Sequence, residues 1–174
     1  RTYAIIGILL VFIVILAVLT KGTFSQPENL INVVRQVAAI GVIAIGMTFV
    51  IITLGIDLSV GSILALAAVV ATSLAQRPGP QMKYEGLNLP IFVAVLGGLA
   101  VGALLGLING VLIARFRIAP FIATLGMMTT ARGLALIYSG GRPISRLETP
   151  YNDIGQGSIL GIPVPVVLFA IVAI

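Results

Sequence analysis

Long apolar runs, separated by short polar stretches, follow one another along the whole sequence. A helix rises about 1.5 Å per residue and the hydrocarbon core of a bilayer is about 30 Å thick, so about 20 apolar residues are enough to cross it. The runs therefore predict an all-α membrane protein, a polytopic helical bundle of five complete transmembrane helices and the start of a sixth. The predicted spans cover about residues 3–20, 37–54, 59–76, 91–113, 119–138 and 161–174, in one domain over residues 1–174.

A break at Asp57 is predicted to separate the second span from the third. Asp57 is the only charged residue between Val37 and Gln76. As one helix this stretch would be about 60 Å long, about twice the thickness of the hydrocarbon core. Gly55 and Gly61 flank the carboxylate and are expected to supply the backbone angles of the turn.

The polar connections carry their own signals. Residues 27–36 have apolar side chains at helical spacing opposite polar ones, which predicts either an amphipathic turn at the membrane interface or an ordinary helix start. The Arg-Pro-Gly-Pro segment at 77–80 cannot continue a helix, and residues 139–160 are long enough for a partly structured loop. Arg1 in place of an initiator Met, and a short last apolar run, indicate part of a longer protein.

Small residues at helical spacing predict where the spans pack closely. Four glycines of the fourth span, here called the glycine ridge, form three overlapping Gly-x-x-x-Gly units on one helix face. Such faces let two helix backbones approach closely in a membrane, and they specify a contact but no chemistry. The predicted packing glycines are Gly98, Gly102, Gly106 and Gly110 in the ridge, Gly61 in the third span, and Gly126 and Gly133 in the fifth.

Composition supports the membrane prediction and narrows the chemistry. Of the 174 residues, 59% are hydrophobic and 9% are charged, whereas soluble domains have roughly 25% charged residues. The absence of Cys and His excludes disulfides, thiolate nucleophiles, Cys/His metal sites and histidine proton transfer. No nucleotide-binding motif is present, and no cofactor is expected. The net charge of +5 suits contact with lipid head groups, because no basic cluster interleaved with aromatics indicates nucleic acid.

Asp57 is the sharpest candidate for a functional residue, because a carboxylate between two spans is costly to bury. It could accept hydrogen bonds from a hydroxylated solute, pair with Arg132, or hold a hinge between the second and third spans. Alternatively, Asp57 or Ser59 caps the first turn of the third span, and this is the preferred interpretation.

Asn109, Thr124 and Arg132 are the other polar candidates within the spans. Asn109 and Thr124 either line a polar pathway or hydrogen-bond to neighbouring helices, which is the commoner role for such residues. Arg132 either neutralises a buried carboxylate or extends its side chain to the membrane interface, and the second, structural role is preferred. Together with Asp57 and Ser59, these three are the candidates for a translocation path or a hinge.

These residues and their surroundings resemble the ribose-type permease subunits of bacterial ABC sugar importers. The similarity runs in order, and at similar spacing, from about Phe24 to the end of the sequence. The matching segments are Gly46–Val50, Gly55–Ser62, Asn109-Gly110, Pro120–Gly126, Arg132–Leu134 and Gly140–Ile144.

The resemblance implies a transport subunit and not an enzyme, with about twice the spans that this sequence supplies and a cytoplasmic N-terminus. It implies a second permease subunit, as a homodimer, and a periplasmic sugar-binding protein that delivers a monosaccharide or related polyol. A separate cytoplasmic ATP-binding subunit would drive alternating access, and the segment that couples to it would lie beyond Ile174. The expected location is the bacterial inner membrane, in contact with lipid.

Two other classes of protein are weighed against this interpretation. A secondary transporter would use these spans as one half of an inverted repeat and would need its own ion or proton site, for which Asp57 is the only carboxylate near a span interior. A structural or assembly protein of the membrane would need only the packing faces.

Overall fold

The computed structural model describes residues 2–79, 83–84 and 89–174, and it is helical almost throughout. Its helices are α1 Thr2–Leu19, α2 Pro27–Ile52, α3 Val60–Leu74, α4 Ile91–Ala114, α5 Pro120–Ser139, α6 Thr149–Gln156 and α7 Val164–Ala173. A short 3-10 helix, Thr23–Ser25, precedes α2, and an antiparallel hairpin of β1 Ser158–Ile159 and β2 Ile162–Pro163 precedes α7.

Three of these helices, α2, α4 and α5, are long and apolar enough to cross a membrane, and α1, α3 and α7 are shorter apolar helices. The prediction of an all-α membrane protein is therefore confirmed. The break predicted near Asp57 lies between α2 and α3. The loop predicted at 139–160 is partly structured, because it contains α6. Pro80, in the connection after α3, lies outside the described residues.

Two helix starts differ from the sequence prediction. The second helix begins at Pro27, ten residues before residue 37, and runs to Ile52, so residues 27–36 are helical, which agrees with both alternatives for this segment. Proline is well suited to the first turn of a helix, where its missing N–H costs nothing. The last helix begins at Val164 and not near Gly161, because Leu160 and Gly161 both have positive φ and form the tight turn of the hairpin.

The chain divides into two compact units. The first comprises residues 1–42 and 158–174, in which the ring of Phe169 on α7 lies where a side chain at Gly41 on α2 would be. The second comprises residues 43–157 and contains the helices α3, α4 and α5. Whether residues 1–174 behave as one membrane domain stays a prediction.

In the second unit α3 packs against both α4 and α5. The centre of this packing is a buried cluster of Leu66, Leu105, Met127, Ala131 and Ala135. The buried positions on α5 recur every fourth residue, as expected for the inner face of a helix. This three-helix core fixes the two ends of α3, and the candidate polar residues lie at one of those ends.

Candidate functional site

The end of α2 turns the chain toward α3 through a backbone motif. Leu54 has a φ of 57°, in the left-handed region, and the N–H groups of Leu54 and Gly55 donate to the carbonyls of Ile51 and Val50. This pairing is the Schellman arrangement that closes many helices. The expectation that the flanking glycines supply the unusual angles is wrong, since Leu54 adopts them. A Cβ at Gly55 would be tightly placed, 3.1 Å from the carbonyl oxygen of Val50.

Asp57 organises the turn that follows. Its Oδ1 accepts a hydrogen bond from the N–H of Ser59 at 2.7 Å and another from the hydroxyl of Ser59 at 2.6 Å. Ser59 is the residue before the first turn of α3 and is fully buried, but its own side chain makes no capping bond to that helix. Asp57 therefore fixes the entry of the chain into α3 through a local turn, which is close to the capping role preferred from the sequence.

Asn109 connects this turn to α4. The side-chain amide of Asn109 donates to the hydroxyl oxygen of Ser59 at 2.9 Å, and Asn109 is only 5% exposed. A carboxylate only accepts hydrogen bonds, so the single proton of the Ser59 hydroxyl must go to Asp57. The Ser59 oxygen must then accept, which requires the NH₂ group of Asn109 to face it. The Oδ1 of Asn109 consequently points away from Ser59 and is enclosed without a partner among the described residues.

Thr124 connects the same turn to α5. Its hydroxyl lies 2.8 Å from the carbonyl oxygen of Pro120 and 3.2 Å from that of Ile56, and it donates its one proton to these acceptors. Thr124 is 2% exposed. The turn between α2 and α3 is thus attached by side chains to both α4 and α5, so four of the five candidate residues form one continuous polar network: Asp57, Ser59, Asn109 and Thr124.

A cavity of about 400 Å³ opens beside this network. Asp57 is the only charged residue among its described lining residues, and Thr53, Asn109 and Thr124 are the only polar ones. The remaining lining is backbone and apolar side chains. The volume falls within the range of about 300–1,000 Å³ that is usual for small-molecule sites. No group of three or more His, Cys, Asp or Glu side chains that could hold a metal ion occurs within the described residues.

The glycines of the ridge lie in two different environments. At Gly98 a Cβ would lie 2.9 Å from the Cβ of Ala71 and 3.2 Å from the carbonyl oxygen of Ala67, so α4 meets α3 closely there. At Gly106 and Gly110 nothing lies within 4 Å, and both glycines line the cavity beside Asp57.

The other predicted packing glycines have no close neighbour within the described part of the chain. A Cβ would meet nothing within 4 Å at Gly61, Gly102, Gly126 or Gly133. The faces of α3 and α5 that are buried include Ser62, Leu66 and Ala131 instead. A packing role for these four glycines stays a prediction.

Arg132 is not part of the network. It lies exposed on α5, next to the fully buried Ala131, and it makes no ion pair with Asp57 in the described structure. An exposed arginine on a spanning helix suits the structural role preferred from the sequence, in which the side chain extends to the interface. Its proposed participation in a translocation path stays untested.

A second polar cluster, which sequence reasoning missed, lies at the opposite end of α3 and α5. The hydroxyl of Tyr138 is 2.7 Å from Ser73 Oγ and 2.7 Å from the hydroxyl of Tyr84, and the ammonium of Lys83 lies 4.1 Å from the centre of the Tyr138 ring. The side chain of Gln76 is buried. Its oxygen accepts a hydrogen bond from the backbone N–H of Lys83, and its NH₂ group donates to the carbonyl of Ser145. The only sequence signal was the position of these residues at the ends of apolar runs.

Replacing Tyr138 with Phe should lower the melting temperature of the protein. The proton of Ser73 Oγ goes to the carbonyl of Val70 at 2.7 Å, so Tyr138 donates to Ser73 and accepts from Tyr84. In Tyr138→Phe the Ser73 oxygen loses its donor and the Tyr84 hydroxyl loses its acceptor, which should lower the free energy of unfolding by about 1–3 kcal/mol. Thermal unfolding in detergent measures it, and Tyr3→Phe on the exposed start of α1 is the control. Equal melting temperatures for the two variants would contradict the assignment.

The fold and the polar network define the class of protein: a polytopic helical membrane protein with a carboxylate-centred polar network and a cavity between its helices. The chain belongs to the family described as "Branched-chain amino acid transport system / permease component", which matches residues 29–174. The resemblance to permease subunits inferred from the motifs is thereby confirmed.

Individual relatives are sugar permeases by name. The chain is 41% identical over 171 residues to the ribose import permease protein RbsC of Haemophilus influenzae, covering 94% of this chain and 49% of that protein. It is 44% identical to RbsC of Bacillus subtilis, covering 91% and 47%, and 40% identical to the L-arabinose ABC transporter permease protein AraH of Azospirillum brasilense, covering 92% and 45%. The chain thus spans about half the length of these relatives. No solved structure matches it.

Proposed function

We propose that this chain is part of a transmembrane permease subunit that carries a monosaccharide or related polyol across the bacterial inner membrane by alternating access. The observation that carries the proposal is the similarity, over more than nine-tenths of the chain, to proteins named as ribose and L-arabinose permeases. In this proposal the protein is a transport subunit and not an enzyme. ATP is hydrolysed by a separate cytoplasmic subunit, and a periplasmic sugar-binding protein delivers the solute.

The polar network is the proposed hinge or path element of this permease. Asp57, Ser59, Asn109 and Thr124 join the α2–α3 turn to α4 and α5. Alternating access requires the helices around the path to move relative to one another, and a network that ties three helices to one turn would make them move together at this end. Arg132, exposed on α5, is proposed as a further path residue only if a helix outside this chain covers it.

The assembly is proposed to contain two copies of the permease subunit. Four glycines on α3, α4 and α5 leave open helix faces: Gly61, Gly102, Gly126 and Gly133. Such faces suit close packing against further helices in a membrane, from the remainder of the subunit or from its second copy. The exposed apolar side chains of α1 suit contact with lipid.

Uptake by the complete importer tests the proposal. The full-length permease, its ATP-binding subunit and its sugar-binding protein are reconstituted in vesicles and offered labelled pentoses, hexoses and polyols. We expect uptake of at least one of them that needs both ATP and the binding protein. Uptake that follows an imposed Na⁺ or proton gradient without ATP would instead identify a secondary transporter, and the proposal would then fail.

A further inference from the structure

The two carboxylate oxygens of Asp57 are in different situations. Oδ1 accepts both hydrogen bonds from Ser59, at 2.7 and 2.6 Å. Oδ2 accepts no hydrogen bond from the described residues and is not enclosed, in contrast to Oδ1 of Asn109. Asp57 lines the cavity of about 400 Å³ beside α4. One oxygen is therefore occupied by the fold, and the other has no partner among the described residues, on a side chain that lines a cavity.

The rest of the polar lining offers acceptors as well. The Thr53 hydroxyl donates its proton to the carbonyls of Phe49 and Val50 at 3.1 and 2.9 Å, and the Thr124 hydroxyl donates to backbone carbonyls too. A hydroxyl whose proton is used still has lone pairs. The side chains around the cavity therefore present a negative charge and acceptor oxygens, and the second N–H of the Asn109 amide is the one side-chain donor of the lining left without a hydrogen bond among the described residues. A solute that binds at the Asp57 carboxylate must itself bring a donor.

The apolar part of the lining narrows the solute further. Val50, Ile113 and Ala114 line the cavity, and so do Gly106 and Gly110, at which a Cβ would meet nothing within 4 Å. A cation such as Na⁺ or Ca²⁺ needs several oxygen ligands that converge on one point, whereas eight of the twelve described lining residues are apolar or glycine. A ring compound with hydroxyl groups at its edge and C–H groups on its face matches both parts of this lining.

We infer that Asp57 has two separate tasks: Oδ1 holds the turn into α3, and Oδ2 accepts a hydroxyl group of a neutral polyhydroxylated solute in the cavity beside Gly106 and Gly110. This inference rests on the proposed transport function and adds to it a contact atom and the chemistry that the contact selects. Asp57 is thus a binding residue, whereas Ser59 and Asn109 are positioning residues that fix its carboxylate.

Asp57→Asn separates the two tasks. The asparagine Oδ1 still accepts from Ser59, so the turn is kept, but the free oxygen becomes an NH₂ donor. In the reconstituted full-length importer we expect ribose uptake to fall about 10- to 100-fold, as for loss of one hydrogen bond to a charged group. The melting temperature and the ATP hydrolysis stimulated by the binding protein should stay near wild type. The control is Thr130→Val, which removes an exposed hydroxyl bonded within α5, away from the cavity.

Two further variants sharpen the outcome. Ser59→Ala removes one bond to Oδ1 and should lower the melting temperature and the uptake together. Gly106→Leu fills the cavity without meeting an atom within 4 Å of its Cβ, and should block uptake while the protein stays folded.

Wild-type uptake by Asp57→Asn, or equal loss of stability in Asp57→Asn and Ser59→Ala, would overturn the inference and leave Asp57 a purely structural residue. Absence of uptake in the wild-type importer would instead count against the transport function itself.

Discussion

Gly98→Leu should be among the most destabilising single substitutions in α4, lowering the free energy of unfolding by about 3 kcal/mol, the upper part of the usual range for overpacking. A Cβ at position 98 would lie 2.9 Å from the Cβ of Ala71 and 3.2 Å from the backbone oxygen of Ala67. Neither neighbour can rotate away, because one is a methyl group fixed to the helix and the other is main chain. The helices α3 and α4 would have to separate, and the buried core between them would lose contacts.

Gly102→Leu is the matched control, since it makes the same chemical change one helical turn further along α4. Nothing lies within 4 Å of the Cβ position at residue 102. A leucine is also a better helix former than glycine, by roughly 0.5–1 kcal/mol, so this variant should melt at a clearly higher temperature than Gly98→Leu in detergent. Similar melting temperatures for the two leucine variants would show that the close approach of α3 and α4 does not occur at Gly98.

The fold was largely predictable because hydrophobic length is a strong signal in a membrane protein. Apolar runs of the length of a bilayer located α4 and α5 to within a residue or two, and the lone charge of Asp57 located the break after α2. Two local features were not predictable from apolar length. The helix α2 extends back to Pro27 because polar residues at its start still form a helix, and the turn at Leu160 and Gly161 delays α7.

The sequence selected four residues that the structure brings together, but it did not predict how they are connected. Asp57, Ser59, Asn109 and Thr124 were selected because polar residues in a span are rare. That they form one network, and that Arg132 is outside it, depends on helix rotation. A glycine pattern gives the spacing of a face but not its neighbour, which is why one ridge holds both the contact at Gly98 and the cavity wall farther along α4.

Asn109→Asp should be more harmful than removal of the side chain, although it changes only an NH₂ group into an oxygen. The Ser59 hydroxyl has one proton, which it gives to Asp57 at 2.6 Å. An aspartate at position 109 would present an acceptor to an oxygen that has no proton left, in a site that is 5% exposed. It would also place a second negative charge beside the first. A buried charge without a partner costs about 3–5 kcal/mol, so we expect little folded protein and no uptake.

Asn109→Ala separates this charge effect from loss of the amide. It removes the donor to Ser59 but also the enclosed Oδ1 that has no partner among the described residues, so the two consequences partly offset each other. Its melting temperature should therefore lie between those of the wild type and Asn109→Asp. If the alanine and aspartate variants were equally stable, Ser59 would not be giving its proton to Asp57. The direction of the hydrogen bonds from α4 through Ser59 to the carboxylate would then be wrong.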